Sequence, residues 1–146
     1  MKRFSIFVAL ATILVVLHDG AEARTFSECQ LAKLLRTTYH FDRVKVNNFV
    51  CLAAAESSLS TTKTHRNRNG STDYGLFQIN NRYWCSTPGY RSASNVCQVA
   101  CSDLMKDDIT KAVNCANKVY ARHGYNAWEG WKAKCKNGVK DLSYCM

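Results

Sequence analysis

Eight cysteines place the strongest limit on how this chain of 146 residues can fold. They are Cys29, Cys51, Cys85, Cys97, Cys101, Cys115, Cys135 and Cys145. An even number of cysteines in an exported chain indicates disulfides rather than free thiols. Zinc is the weaker alternative, because the sequence has no Cys-x-x-Cys pair. Eight cysteines can pair in many ways, so the residues alone leave the connectivity open.

The N-terminus has the pattern of a signal peptide. Lys2 and Arg3 precede an apolar stretch over residues 4–17, and Ala21-Glu22-Ala23 fits the small-x-small cleavage rule. The stretch is shorter than the roughly 20 apolar residues that span a bilayer. We therefore predict a signal peptide over residues 1–23, a mature domain over residues 24–146, and secretion.

The chain is strongly basic, with 20 Lys and Arg against 11 Asp and Glu and a net charge of +9. The predicted signal peptide contains equal numbers of basic and acidic residues, so the mature charge is the same. Such a charge suits nucleic acid, an anionic membrane or an acidic polymer outside the cell. The mature chain is long enough for one core and too short for two domains.

Four helices are predicted from caps and apolar spacing. Ser27 opens a capping box with the glutamine three residues later, and its helix runs to about Thr38. A second, apolar helix covers residues 49–56. The third is predicted between an Asp108 cap and a Gly124 stop, and the fourth opens at Asn126.

A small sheet is predicted between the second and third helices. The dipeptide Asn69-Gly70 predicts a tight turn that joins strands near residues 64–66 and 72–74, and residues 76–79 suggest a further short strand. The order of helices, sheet and helices predicts an α+β fold. We expect a helical lobe, a small antiparallel β lobe and a cleft between them.

Two carboxylic acids stand in contrasting surroundings. Glu56 ends a run of apolar residues, where desolvation favours the protonated form. Asp73 lies in a segment rich in hydroxyl groups, where a carboxylate can be hydrogen-bonded. Glycoside hydrolysis needs such a pair, with one acid to protonate the leaving oxygen and one carboxylate to stabilise or attack the sugar. A structural role for each remains the alternative.

Amide and aromatic side chains cluster around this pair in the sequence and suit a groove for sugar rings. They are Asn67, Gln78, Asn80, Asn81, Tyr83, Trp84, Asn126 and Trp128. Other chemistries lack support, because the histidines share no motif with a nucleophile and there is no phosphate loop or metal motif.

Several segments carry a resemblance that extends over the whole predicted mature chain. They are Cys51-Leu-Ala-Ala-Ala-Glu-Ser57, Gly70-Ser-Thr-Asp-Tyr-Gly-Leu-Phe-Gln-Ile-Asn80, Tyr83-Trp84-Cys85, Asp108-Ile-Thr110, Val113-Asn-Cys-Ala116 and Asn126-Ala-Trp128. With these segments and all eight cysteines, the chain resembles the C-type lysozymes, the family that also contains the α-lactalbumins.

The resemblance implies roles for individual residues. Glu56 would be the general acid, Asp73 the catalytic carboxylate, and Trp128 the tryptophan packed against the acid; a raised pKa on that acid is an established property of the family. The residues implied to line the saccharide subsites are Asn67, Gln78, Asn80, Tyr83, Trp84, Ala127 and Trp128. The implied disulfides are Cys29–Cys145, Cys51–Cys135, Cys85–Cys101 and Cys97–Cys115.

The implied reaction is hydrolysis of β-1,4 links between N-acetylmuramic acid and N-acetylglucosamine in bacterial peptidoglycan. We expect a monomer that needs no cofactor, binds no nucleic acid and has no obligate membrane association. No structural calcium is predicted, because the stretch Lys111-Ala112-Val113 occupies the place of the later calcium ligands. The outer subsites depart from the usual pattern, with Tyr83 in place of a tryptophan and His65 in place of an asparagine.

Two other functions remain open from the sequence. A non-enzymatic binding or regulatory protein could use the same scaffold, although such members typically lose a catalytic carboxylate and this chain keeps both. A cationic membrane-active antimicrobial would use the basic charge. No separate basic amphipathic helix supports that second alternative.

Overall fold

The computed structural model describes residues 23–146, so the predicted signal peptide lies outside the described residues except for its last position. The helices are α1 (Glu28–Thr37), α2 (Arg43–Ser57), α3 (Thr110–His123) and α4 (Glu129–Lys134), with 3-10 turns at Cys101–Met105, Tyr125–Ala127 and Ser143–Cys145. The strands are β1 (Thr64–Arg66), β2 (Thr72–Tyr74) and β3 (Ile79–Asn80), which form one antiparallel sheet in the order β1-β2-β3. The α+β prediction is confirmed.

Local caps explain where the first two helices begin. The capping box of α1 is present, because Ser27 Oγ accepts from the Gln30 N–H at 3.2 Å and Gln30 Oε1 accepts from the Ser27 N–H at 2.9 Å. Helix α2 begins at Arg43, well before the predicted start at residue 49. Asp42 caps it by accepting from the Lys45 N–H at 2.9 Å. Because most residues of the first turns are polar, the apolar spacing in the sequence does not show where this helix begins.

The predicted caps of the last two helices need correction. Ile109 occupies the N-cap position of α3. Asp108 lies one residue before it, and its carboxylate accepts from the Thr110 N–H at 2.9 Å. The helix ends before Gly124, which has a φ of +65° that favours glycine. Asn126 lies in a 3-10 turn and does not cap α4.

The sheet brings Asp73 to its middle strand. In the register, Asp73 of β2 stands opposite His65 of β1 and Asn80 of β3. The hairpin turn is as predicted, with Asn69 Oδ1 accepting from the Ser71 N–H at 3.0 Å. The third strand starts later than predicted, because residues 75–78 form a turn closed by the Gln78 N–H on the Gly75 carbonyl at 3.1 Å.

Within the core of the helical lobe, an aromatic cluster surrounds Phe49, which is fully buried. Its ring makes edge-on contacts with those of Phe41, Phe77, Tyr120, Tyr125 and Trp128. These contacts join α2 to the β lobe, to α3 and to the segment before α4.

Four disulfides close the structure, and all four pairings implied by the resemblance are confirmed: Cys29–Cys145, Cys51–Cys135, Cys85–Cys101 and Cys97–Cys115. No cysteine within residues 23–146 is free. Such pairing fits an oxidising, extracellular compartment. In the same part of the chain, no helix has the length and apolar character needed to cross a membrane.

Candidate active site

A cleft of about 1270 Å³ lies between the helical and β lobes. Its walls contain every residue that the resemblance assigned to the site: Glu56, Asn67, Asp73, Gln78, Asn80, Tyr83, Trp84, Ala127 and Trp128. These residues come from the end of α2, from β2, β3 and the turns of the β lobe, and from the segment before α4. The fold therefore assembles one site from stretches that are far apart in the sequence.

Glu56 is held in the last turn of α2, where the helix meets the β lobe. The neighbouring Ser57 is buried, and its single O–H is shared between the Ala53 carbonyl at 2.9 Å and the Leu76 carbonyl at 2.8 Å. Ser58 then ends the helix in the left-handed conformation, with a φ of +54°. The Ser57 bonds therefore tie the end of the helix that carries Glu56 to the turn that follows Asp73.

Burial raises the pKa of the Glu56 carboxyl above its ordinary value, because desolvation disfavours the charged form. A hydrogen bond from the Gly130 N–H opposes this rise. The charge of Asp73 adds to the rise, the Lys63 ammonium opposes it, and the Glu129 carboxylate adds to it. The net direction is upward, so Glu56 keeps its proton to a higher pH than a free glutamate does.

Gly130 makes a direct contact with this acid. Its N–H donates to Glu56 Oε1 at 2.7 Å. A Cβ on Gly130 would lie 2.8 Å from the same oxygen and 3.2 Å from the Ala55 Cβ. The glycine thus lets the backbone of α4 approach the acid closely, and that approach sets the orientation of the carboxyl group.

Asp73 is surrounded by amide donors. Asn67 donates to its Oδ2 at 2.9 Å and Asn80 donates to its Oδ1 at 2.7 Å. Both amides also donate to the Ser71 hydroxyl, at 3.2 Å and 2.9 Å. Each oxygen of Asp73 therefore accepts from an amide of the β lobe, in a polar setting that differs from that of Glu56.

The cleft residues near Glu56 are anchored through their polar ends. Trp128 is buried and its Nε1–H donates to the Phe77 carbonyl at 2.8 Å. Gln78 is also buried, and its amide donates to the carbonyls of Lys63 at 3.0 Å and Gly75 at 2.9 Å. These bonds to the backbone therefore fix the position of the surface that each side chain presents to the cleft.

Of the amide and aromatic side chains predicted around the pair, all except Asn81 line the cleft. Asn81 is buried, its Oδ1 accepts from the Thr72 N–H at 2.9 Å, and it is not part of the cleft wall. Asn126 does line the cleft. The sequence analysis missed the contributions of Lys63 and Gly130 to Glu56, because both residues meet it only through the fold.

The described part of the chain does not point to a metal site. Across residues 23–146, no group of three or more His, Cys, Asp or Glu side chains is placed to hold a metal ion. Asp108, near the start of α3, instead accepts from the backbone and hydroxyl of Thr110. The cleft presents a carboxyl group whose pKa is raised, a hydrogen-bonded carboxylate, amides and aromatic faces.

Comparisons with known proteins agree with this fold. A model of the C-type lysozyme/alpha-lactalbumin family matches residues 24–145. The chain is 53% identical to a lysozyme of Bombyx mori over 99% of this chain and 100% of that protein. It is 48% identical to lysozyme c-1 of Anopheles gambiae over 100% of both.

The fold is also similar to a solved structure. A crystal structure of a lysozyme from Litopenaeus vannamei matches with a TM-score of 0.72 and 44% identity, over 84% of this chain and 95% of that one. Since the family model and the named lysozymes match along nearly the whole chain and the fold agrees, this protein belongs to the C-type lysozyme/alpha-lactalbumin family and is a glycoside hydrolase.

Proposed function

We propose that this enzyme is a secreted, monomeric muramidase, produced with a cleavable signal peptide over residues 1–23, that hydrolyses the β-1,4 link between N-acetylmuramic acid and N-acetylglucosamine in bacterial peptidoglycan. The observation that carries the proposal is the pair Glu56 and Asp73, which line one cleft in different surroundings. The net charge of +9 supports an anionic wall polymer as the target, and on that ground we propose a bacteriolytic role in defence, with digestion as the alternative.

In the proposed mechanism the two carboxyl groups have separate tasks. Glu56 donates its proton to the glycosidic oxygen as the bond to the leaving sugar breaks. Asp73 stabilises the oxocarbenium-like centre or attacks it to form a covalent glycosyl intermediate. Glu56, now a carboxylate, then removes a proton from the water that releases the product. The configuration at the anomeric carbon is retained, as the family resemblance implies.

The surroundings of each group support its task. Glu56 must arrive protonated, and burial raises the pKa of its carboxyl, which favours the protonated form. Asp73 must present an oxygen to the sugar, and the amides of Asn67 and Asn80 hold it in one orientation. The tyrosine and tryptophan at 83 and 84 supply aromatic surface to the same cleft.

The test of this function is the chemistry of the products. Purified peptidoglycan is digested with the enzyme, and the new reducing ends are identified by mass spectrometry after borohydride reduction. The proposal requires reducing ends on N-acetylmuramic acid. Reducing ends on N-acetylglucosamine would assign a different glycosidase, and binding without new reducing ends would assign a non-enzymatic role.

Lys63 allows the pH dependence to be tested. Its ammonium donates to the Glu56 carbonyl at 2.6 Å and lowers the pKa of the Glu56 carboxyl. Lys63→Met is expected to raise that pKa further, so the acid stays protonated to higher pH. Activity falls as Glu56 loses its proton, so the alkaline limb of the kcat/KM profile should move to higher pH.

The matched control is Lys33→Met, which removes the same charge from an exposed position on α1. Its alkaline limb should stay where the wild-type limb lies. If both variants shift the limb equally, net charge and not the Lys63 contact sets the effect. If Lys63→Met moves the limb to lower pH, the assignment of Glu56 as the acid on that limb is wrong.

Asn80 tests how strongly Asp73 depends on its amide neighbours. Asn80→Ala removes the 2.7 Å hydrogen bond to Asp73 Oδ1. A hydrogen bond to a charged group contributes about 1.5–3 kcal/mol, so kcat should fall by about tenfold or more with a smaller change in KM. The exposed Asn114→Ala on α3 serves as the control and should leave both constants unchanged. Equal kcat in Asn80→Ala and wild type would contradict the positioning role.

A further inference from the structure

The hairpin turn between β1 and β2 contains a motif that the proposed chemistry does not use. Asn69-Gly70-Ser71 is the one place in the 146 residues where an Asn stands two positions before a Ser or Thr, with a residue other than Pro between them. In a secreted protein this pattern is the acceptor for an N-linked glycan at the surface. A glycan can be carried here only if the Asn69 amide nitrogen is free and the space beside it is open.

The folded turn leaves the amide nitrogen of Asn69 free. Its Oδ1 accepts from the Ser71 N–H at 3.0 Å and from the Ser71 hydroxyl at 2.7 Å. Because a backbone N–H can only donate, the atom that faces it is the oxygen, and Nδ2 is the atom left over. Within residues 23–146, no hydrogen bond uses this Nδ2. A sugar on Nδ2 would therefore leave both bonds to Ser71 intact.

The turn also has room for a glycan. Asn69 is exposed, and a Cβ added at the adjacent Gly70 would meet no heavy atom within 4 Å. Asn69 lies in the wall of the cleft, so an attached glycan would stand at the edge of the cleft. The Ser71 hydroxyl also accepts from the amides of Asn67 and Asn80, and none of these bonds involves Asn69 Nδ2. A glycan is thus compatible with the amides that surround the catalytic carboxylate.

We propose that Asn69 is a modification site that carries an N-linked oligosaccharide, added as the chain enters the secretory pathway. In the transfer, Asn69 Nδ2 bonds to the anomeric carbon of an oligosaccharide carried on a lipid diphosphate. The bond from this carbon to the diphosphate oxygen breaks, its electron pair leaves with the lipid diphosphate, and Nδ2 gives one proton to a base of the transferase. Ser71 is part of the motif and is only 1% exposed in the fold, so the transfer precedes folding of the β lobe.

This inference rests on the proposed secretion, and one experiment separates the two. The full chain is expressed in cultured insect cells, and the medium and the cells are analysed separately. Mass spectrometry of the intact, reduced protein measures any added sugar. Peptide N-glycosidase in water labelled with heavy oxygen then converts a glycosylated Asn into a labelled Asp, and sequencing of the peptides by mass spectrometry locates the label.

We expect the secreted protein to exceed the mass of its amino-acid sequence by a whole number of hexose and N-acetylhexosamine units, with the label at Asn69. Asn69→Asp removes the acceptor nitrogen, keeps an oxygen for the bonds from Ser71, and should be secreted at the mass of its sequence. The control Asn137→Asp makes the same exchange at another exposed Asn-Gly pair, which Val139 follows, and should keep the glycan.

The possible failures are distinguishable. Secreted protein without added sugar, or a glycan that persists in Asn69→Asp, would overturn this inference and leave the proposed secretion standing. Protein that stays in the cells without added sugar would overturn both.

Discussion

Replacing Glu56 with Gln is expected to lower kcat on peptidoglycan by about 10²–10⁴-fold, the range that general acid catalysis contributes. Glutamine has the size of the acid but cannot give a proton to the glycosidic oxygen. Its amide oxygen can still accept from the Gly130 N–H, so the local packing should persist. The measurement is the initial rate of reducing-end release from soluble peptidoglycan, at saturating substrate.

The control for this variant is Glu28→Gln. This change removes the carboxylate that pairs with Lys140, outside the cleft, and should leave kcat unchanged. A folded Glu56→Gln protein that keeps more than about a tenth of the wild-type kcat would contradict the assignment of Glu56 as the acid.

The same variant has an expected effect on stability that depends on pH. Because burial raises the pKa of Glu56 in the folded state, the wild type loses stability as pH rises from the ordinary glutamate value through the folded value. Glutamine has no proton to lose. The difference in Tm between Glu56→Gln and wild type should therefore increase in favour of the variant across that window, and be smallest below it. A difference that is constant with pH would mean that the environment of Glu56 does not disfavour its charge.

The parts of the fold that depend on residues close together in the sequence could be predicted from it. The capping box at Ser27 and the turn at Asn69-Gly70 each involve residues a few positions apart, so their physics is visible in a short window. The early start of α2 was missed because the first turns after its Asp42 cap show no apolar spacing: Val44 is exposed, whereas Asn47 and Asn48 are half-buried. The disulfide pairing followed from the family resemblance, since the residues alone allowed many pairings.

The contacts that affect the pKa of Glu56 and the orientation of Asp73 could not be predicted from short stretches of sequence. Gly130 reaches Glu56 across 74 positions of sequence, and nothing local to Trp128-Glu-Gly130-Trp131 indicates that its N–H meets a carboxyl group. Asn80 and Asn81 are neighbours of the same type, yet one binds Asp73 and the other is buried against the backbone of β2. Successive side chains of a strand point to opposite faces, and two amides side by side give no hydrophobic alternation that would distinguish them.

Phe49→Ala is expected to lower the free energy of unfolding by about 3–5 kcal/mol, the range for removing a large aromatic side chain from a core. Phe49 is fully buried on α2 and touches five other rings, so its loss leaves a cavity that several elements border. Unfolding in urea, followed by tryptophan fluorescence and far-UV circular dichroism with the disulfides intact, measures the effect. The control is Val44→Ala on the same helix, which is 70% exposed and should change stability by no more than about 0.5 kcal/mol.

The position of Phe49 also connects this core to the proposed chemistry. Its ring packs on Trp128, which is bonded to the Phe77 carbonyl and lies two residues before Gly130, the donor to Glu56. Phe49→Leu keeps most of the volume and should lower stability by less than about 1.5 kcal/mol while the activity of the folded protein stays near the wild-type value. A loss for Phe49→Ala no larger than that of Phe49→Leu would show that the surrounding rings collapse into the space, and that the aromatic cluster does not depend on its central member.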